Sequence, residues 1–148
     1  MTELRRFTIT LPPGLKLLNA NEKLHHRPKA DAVKALRGAA MKACSEDPAM
    51  RAALAAANPG PVLEHAYVLG IFHPNRGGRF DPANWYPSFK AAVDGLVDAG
   101  VLEDDDHTRL IGPDMRPGPK VRGGQIALHI QELTPAEHAA FQWKQVAS

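Results

Sequence analysis

Hydrophobic and polar positions follow strand-like patterns in four stretches of the chain. From residue 7 to 11, phenylalanine, isoleucine and leucine alternate with threonine, which predicts a β-strand with one buried face. Residues 64–72 are apolar on both faces, as expected of an interior strand. Residues 125–130 alternate again, and a shorter strand is predicted over residues 107–111. Four strands are therefore expected.

Helical patterns occupy the segments between and after these strands. Residues 30–57 are rich in Ala, Leu, Met, Lys and Arg, and Asp47-Pro48 interrupts them, which predicts two consecutive helices. Residues 87–99 have a single apolar stripe, and residues 134–137 form a capping box before a short last helix. The order β-α-α-β-α-β-β-α predicts an α+β fold, with residues 1–148 as one domain and helices packed on a mixed sheet of about four strands.

Length and composition exclude several classes of protein. A chain of 148 residues is long enough to bury a core without disulfides or a structural metal. Its single cysteine, Cys44, allows neither an internal disulfide nor a cysteine-based zinc site. No apolar run approaches the roughly 20 residues of a membrane helix. We therefore expect a soluble protein of a reducing, cytoplasmic compartment.

The net charge of +2 is small, but its distribution is uneven. Residues 16–29 and 109–122 concentrate lysine and arginine, whereas acidic residues cluster at 103–106. Basic segments beside an acidic centre suit an enzyme that holds a polyanion and places a metal ion on it. Solvated loops without a partner are the alternative interpretation.

Carboxylates are the main candidates for chemistry, because the chain has no nucleophile elbow, Walker loop, HExxH or paired CxxC motif. Asp81 and the acidic run 103–106 flank the helix predicted over residues 87–99. Four adjacent acids repel one another unless they are exposed or bind a cation, and Mg2+ prefers oxygen ligands. Lys90 would then stabilise charge that develops on a phosphate.

Each of these residues also has a purely structural interpretation. Asp81 precedes a proline and could simply begin a helix. The run 103–106 could be a solvated loop. Lys90 and Asp94 are four residues apart and could form only a weak surface pair. Spacing alone does not show whether the two acidic segments meet.

Taken together, the motifs resemble those of the RusA family of Holliday junction resolvases, found in bacteria and their phages. The resemblance covers about residues 8–133 and is weakest over residues 30–61. Its most specific part joins a lysine, an Asp-small-Leu triplet, an Ala-Gly pair and a paired acid. The matching segments are Leu11-Pro12-Pro13, Asn19, Asn21, Phe72-His73-Pro74, Arg76, Arg79, Asp81, Asn84, Lys90 to Leu96, Ala99 to Leu102, and Asp104-Asp105.

The resemblance implies a function and assigns roles to individual residues. Asp81 and Asp105 match metal-binding aspartates, Asp104 matches the neighbouring acid, and Lys90 matches the active-site lysine. A Mg2+-dependent homodimer would then nick opposed strands of a four-way DNA junction in recombination and repair. The bacterial cytoplasm or a phage-infected cell would be its location. The residues expected to contact DNA are Lys23, Arg27, Lys29, Arg76, Arg79, Lys120 and Arg122.

Two departures from the family pattern leave alternatives open. Ala83 stands where the family commonly has a second aspartate, and about three extra residues, 85–87, precede the lysine. Asp104, Asp106 or Asn84 could complete the metal site. A branched-DNA-binding protein that has lost cleavage is therefore the rival hypothesis, and an interaction domain without a nucleic-acid partner is the third.

Overall fold

The computed structural model describes residues 3–141, which form a mixed sheet with helices packed on it. The predicted α+β fold and the predicted order of elements are confirmed. A short 3-10 helix, Pro82–Trp85, is an addition to that order. The other elements are β1 (Arg6–Thr10), α1 (His26–Glu46), α2 (Pro48–Ala57), β2 (Ala66–His73), α3 (Tyr86–Ala99), β3 (Leu110–Pro117), β4 (Gln125–Glu132) and α4 (Pro135–Ala140).

The sheet has the strand order β1-β4-β2-β3. Strand β4 is antiparallel to both of its neighbours, whereas β2 and β3 are parallel. A parallel pair needs a crossover connection, and α3 provides it. The chain therefore leaves the C-terminal end of β2, passes through the Arg76–Arg79 loop and the 3-10 helix, and returns along α3.

Close approaches at two glycines fix α3 between the sheet and α1. A side chain at Gly70 of β2 would lie 2.5 Å from the ring of Phe89, which is fully buried. A side chain at Gly95 would meet the backbone of Arg37 and would lie 2.7 Å from Cβ of Ala40, both in α1. The absence of side chains at these two positions therefore allows α3 to sit in contact with both layers.

The burial of β2 differs from the prediction of a strand covered on both faces. Its residues alternate between buried and half-buried. Ala66 and Val68 point into the core, whereas Tyr67 lies on the other face and stacks on Phe141 with ring centroids 5.9 Å apart. The strand is interior because β4 and β3 flank it, but only one of its faces is fully buried.

Strand β3 lies further along the chain than the predicted strand over residues 107–111. It spans Leu110–Pro117 and includes two prolines, Pro113 and Pro117. Proline cannot donate a ladder hydrogen bond, but β3 is an edge strand, where one side of the backbone needs no partner. Because prolines usually argue against a strand, the sequence did not predict that β3 continues to Pro117.

The caps predicted for α2 and α4 are both present. Asp47 accepts a hydrogen bond from the backbone N–H of Met50 at 2.9 Å and separates α1 from α2. Thr134 and Glu137 form the reciprocal capping box of α4. Helix α1 begins at His26, four residues before the predicted start. No helix within residues 3–141 is long and apolar enough to cross a membrane.

The glycine contact between α1 and α3 predicts opposite effects for two identical substitutions. Gly95→Ala should lower the free energy of unfolding by about 1–3 kcal/mol, because the new methyl group collides with α1. Gly38→Ala, on the open side of α1, should raise it by about 0.5–1 kcal/mol, because nothing lies within 4 Å and alanine favours helix. Urea unfolding measures both. Equal effects of the two substitutions would contradict the proposed packing.

Candidate active site

Lys90 is the centre of a small charged cluster on the exposed side of α3. Its ammonium donates hydrogen bonds to Asp94, at 2.8 Å, and to Asp105. Asp94 is one helical turn away, whereas Asp105 lies 15 residues further along the chain. The side chains are 44%, 26% and 22% exposed for Lys90, Asp94 and Asp105. Folding thus brings Asp105, the third residue of the acidic run, back to α3.

The other three acidic side chains of the run form hydrogen bonds or a salt bridge within their own loop. Asp104 accepts the backbone N–H of the next residue at 2.7 Å. Asp106 accepts hydrogen bonds from the backbone N–H and the hydroxyl of Thr108. Glu103 forms a salt bridge with Arg109 at 3.1 Å. These contacts offset the expected repulsion between neighbouring carboxylates, and the remaining acid turns toward α3.

The charges in this cluster shift one another's protonation equilibria. The hydrogen bond from Lys90 lowers the pKa of Asp105, and the partial burial of the carboxylate only partly opposes this. Partial burial of Lys90 by itself lowers its pKa, but the hydrogen bonds to Asp105 and Asp94 outweigh it, so the pKa is raised. Both groups are therefore charged at neutral pH.

Asp81 lies in a different environment from the Lys90 cluster. Its carboxylate accepts the backbone N–H of Ala83 at 3.0 Å and caps the 3-10 helix, which was the structural interpretation of this residue. It also lines a shallow depression of about 550 Å³ with Asp114 and Arg116 of β3. Both Asp81 and Ala83 are exposed.

The predicted metal-binding acids do not form one group. Within residues 3–141 there is no cluster of three or more His, Cys, Asp or Glu side chains arranged to hold a metal ion. The structure therefore does not gather Asp81, Asp104 and Asp105 around one point, and a metal role for each of them stays a prediction.

Asp94 and Asp105 are the carboxylates that the structure does bring to one cation, the ammonium of Lys90. Mg2+ in proteins often uses one or two carboxylates and completes its shell with water and phosphate oxygens. Two carboxylates meeting at a positive charge fit that donor set. The spacing of Lys90 and Asp94 was visible in the sequence, but it indicated only a surface pair.

The residues expected to contact DNA all lie exposed in three segments, around the start of α1, after β2, and between β3 and β4. Two of these segments are adjacent, because Asn75 accepts the backbone N–H of Gly123 at 2.6 Å. The first segment contacts the 3-10 helix through a 2.7 Å hydrogen bond from Ala20 N–H to the carbonyl of Asn84. Within residues 3–141 none of these cations forms a salt bridge: Lys23, Arg27, Lys29, Arg76, Arg79, Lys120 and Arg122.

Comparison with known proteins adds no family assignment. The chain matches no protein-family model, and a search of curated proteins also finds no match. The resemblance to RusA resolvases therefore rests on the motifs quoted above, and what it implies stays an expectation.

The lowered pKa of Asp105 predicts a contribution to stability that is lost in acid. A carboxyl whose pKa is lower in the folded state stabilises the fold above its unfolded pKa, and this contribution disappears as pH falls through the folded pKa. Between about pH 6 and about pH 3, wild type should therefore lose more stability than Asp105→Asn. Lys90→Met should lose no more stability than Asp105→Asn over this range, because it removes the partner and leaves two carboxylates that repel each other. Urea unfolding across this range checks both, and a wild-type slope in Asp105→Asn would count against the ion pair.

Proposed function

We propose that this protein is a Mg2+-dependent endonuclease that cuts branched DNA, with four-way junctions as its substrate. The observation that supports the proposal most directly is the partly exposed cluster in which Lys90 meets Asp94 and Asp105. A lysine beside carboxylates can serve both to hold a metal ion and to stabilise a phosphate. The motif resemblance supplies the substrate class.

In this proposal each side chain of the cluster has a separate task. Asp105 and Asp94 would hold the metal ion, and Asp81 would contribute as the resemblance implies. Lys90 would turn its ammonium toward the phosphate and stabilise negative charge on its oxygens. A bound Mg2+ ion supplies Lewis acidity that polarises the phosphate and lowers the pKa of the attacking water.

Exposed cations that form no salt bridge within residues 3–141 suit binding to the DNA backbone. Those after β2 and between β3 and β4 lie on adjacent segments, and contacts of this kind position a nucleic acid without reading its sequence. We propose that two copies of the chain act as a homodimer on opposed strands, in recombination and repair in the cytoplasm of a bacterium or an infected cell. These parts of the proposal come from the resemblance alone.

A second candidate function is binding to branched DNA without cleavage. One observation favours it: Ala83 stands where the family pattern has a carboxylate. A four-way junction incubated with Mg2+ separates the two functions. Paired nicks support the nuclease, and tight binding without nicks supports the second candidate.

Asp105→Asn should abolish Mg2+-dependent cleavage of a four-way junction and leave binding intact or stronger, because removing a negative charge eases the approach of phosphate. Asp81→Asn should have the same effect, since the resemblance gives both aspartates the same role. Glu103→Gln is the matched control, because Glu103 belongs to the same acidic run but pairs with Arg109. Wild-type cleavage by Asp105→Asn would refute the proposed site.

Lys90→Met should slow single-turnover cleavage on the order of a hundredfold, as expected for the loss of one preorganised donor to the phosphate. Its partners are partly exposed and stay hydrated, so the free energy of unfolding should change by less than about 1 kcal/mol. Lys42→Met, which removes an exposed lysine of α1, is the control. Thermal melting accompanies the rate measurement, and an unchanged rate at unchanged stability would show that Lys90 is only a surface cation.

A further inference from the structure

A cleft of about 430 Å³ opens between the loop after β2 and the segment after β1. One side is aromatic: Trp85 stacks on Phe72, with ring centroids 4.4 Å apart and planes 19° apart, and Phe80 packs beside Phe72 at 5.3 Å. Leu15 and Leu17 line the cleft as well. Phe72 is buried, whereas Phe80 and Trp85 are only half-buried. Two aromatic side chains are thus partly accessible from the cleft.

The rim of this cleft is positively charged. Arg76 and Arg79 line it, both are exposed, and neither forms a salt bridge within residues 3–141. Between them, a Cβ atom added at Gly77 or Gly78 would meet nothing within 4 Å, so the loop has open space around it. Lys16, also on the rim, is already paired with Glu22 at 2.7 Å. Two unpaired guanidinium groups therefore stand beside an aromatic cleft.

We propose that this cleft binds one unpaired nucleotide of DNA, with its base against Phe80 and Trp85 and its phosphate on Arg76 and Arg79. Arginine suits phosphate because its planar fork can donate two hydrogen bonds to it, and any base can stack on an aromatic side chain. A base inside a duplex has both faces covered by its neighbours, so the ligand must be unpaired. The inference rests on the proposed function in taking DNA as the ligand.

The cleft also lies next to the proposed active site along the chain. Phe80 directly precedes Asp81, and Trp85 precedes Lys90 by five residues, which is about 7.5 Å of helix rise. An unpaired nucleotide in the cleft would thus contact residues that are close in sequence to Asp81 and Lys90. The ends of strands at a junction, where stacking is interrupted, are one source of such a nucleotide.

The test uses the full chain in EDTA and two DNA duplexes that contain the fluorescent base 2-aminopurine. In one duplex the base is an unpaired single-nucleotide bulge, and in the other it is paired with thymine. The bulged duplex should bind on the order of tenfold more tightly. Its emission should also change at saturation because the base stacks on an aromatic side chain. Equal affinities with unchanged emission would overturn the proposal.

Two matched variants assign the effect to the cleft. Phe80→Leu keeps an apolar side chain but removes one of the two aromatic faces, so it should weaken the preference for the bulge severalfold. Phe141→Leu makes the same change at an exposed phenylalanine that stacks on Tyr67, and it should keep the preference. A preference weakened equally in both variants, or in neither, would contradict binding in the cleft. Circular dichroism confirms that each variant is folded.

The outcome can be separated from that of the proposed function, since EDTA prevents cleavage. Bulge-specific binding by a protein that never nicks junctions in Mg2+ would leave the cleft proposal standing and refute the nuclease. Nicking without any preference for the bulged duplex would refute the cleft proposal and leave the proposed nuclease standing.

Discussion

The position of α3 determines most of what this molecule can do. Gly70 lets Phe89 lie directly on β2, and Gly95 lets the same helix touch the backbone of α1. A helix held at two points cannot slide or rotate without a collision in the core. Asp94 is the residue before Gly95, so the packing on one side of α3 fixes the charged cluster on its other side. The geometry of the candidate site is therefore a consequence of core packing.

Sequence patterns predicted the elements that depend on local chemistry. The Asp47-Pro48 break and the capping box of α4 involve residues no more than three apart, and both are present as predicted. Strand β3 was misplaced because proline is tolerated there only on account of its edge position, which is a property of the whole sheet. The incomplete burial of one face of β2 was not predicted for a similar reason, since the burial of a strand face depends on which helices pack against it.

The candidate site was predictable in its residues but not in its contacts. The spacing of Lys90 and Asp94 follows from helix geometry, and the structure contains that pair. The contact between Lys90 and Asp105 needs the tertiary return of a loop, which no local pattern encodes. Asp81 followed its local preference and capped a 3-10 helix. Local interactions therefore account for the Lys90–Asp94 pair and for the cap formed by Asp81. The contact between Lys90 and Asp105, which completes the cluster, depends on the whole fold.

The balance of charge in the cluster bears on how the proposed nuclease would work. One ammonium faces two carboxylates, so the site is net negative at neutral pH and repels a phosphate. Lys90 alone cannot offset this negative charge. If its ammonium turned toward a phosphate, Asp94 and Asp105 would face each other without a cation. In the proposed nuclease, the approach of a phosphate to these carboxylates would therefore need additional positive charge there, which a divalent cation would supply. In the proposed nuclease the ion pair with Lys90 would hold the two acids close together, and Mg2+ at the carboxylates would leave the ammonium free for the phosphate. The proposed need for Mg2+ would then rest on the contacts that Lys90 makes with Asp94 and Asp105 in its absence.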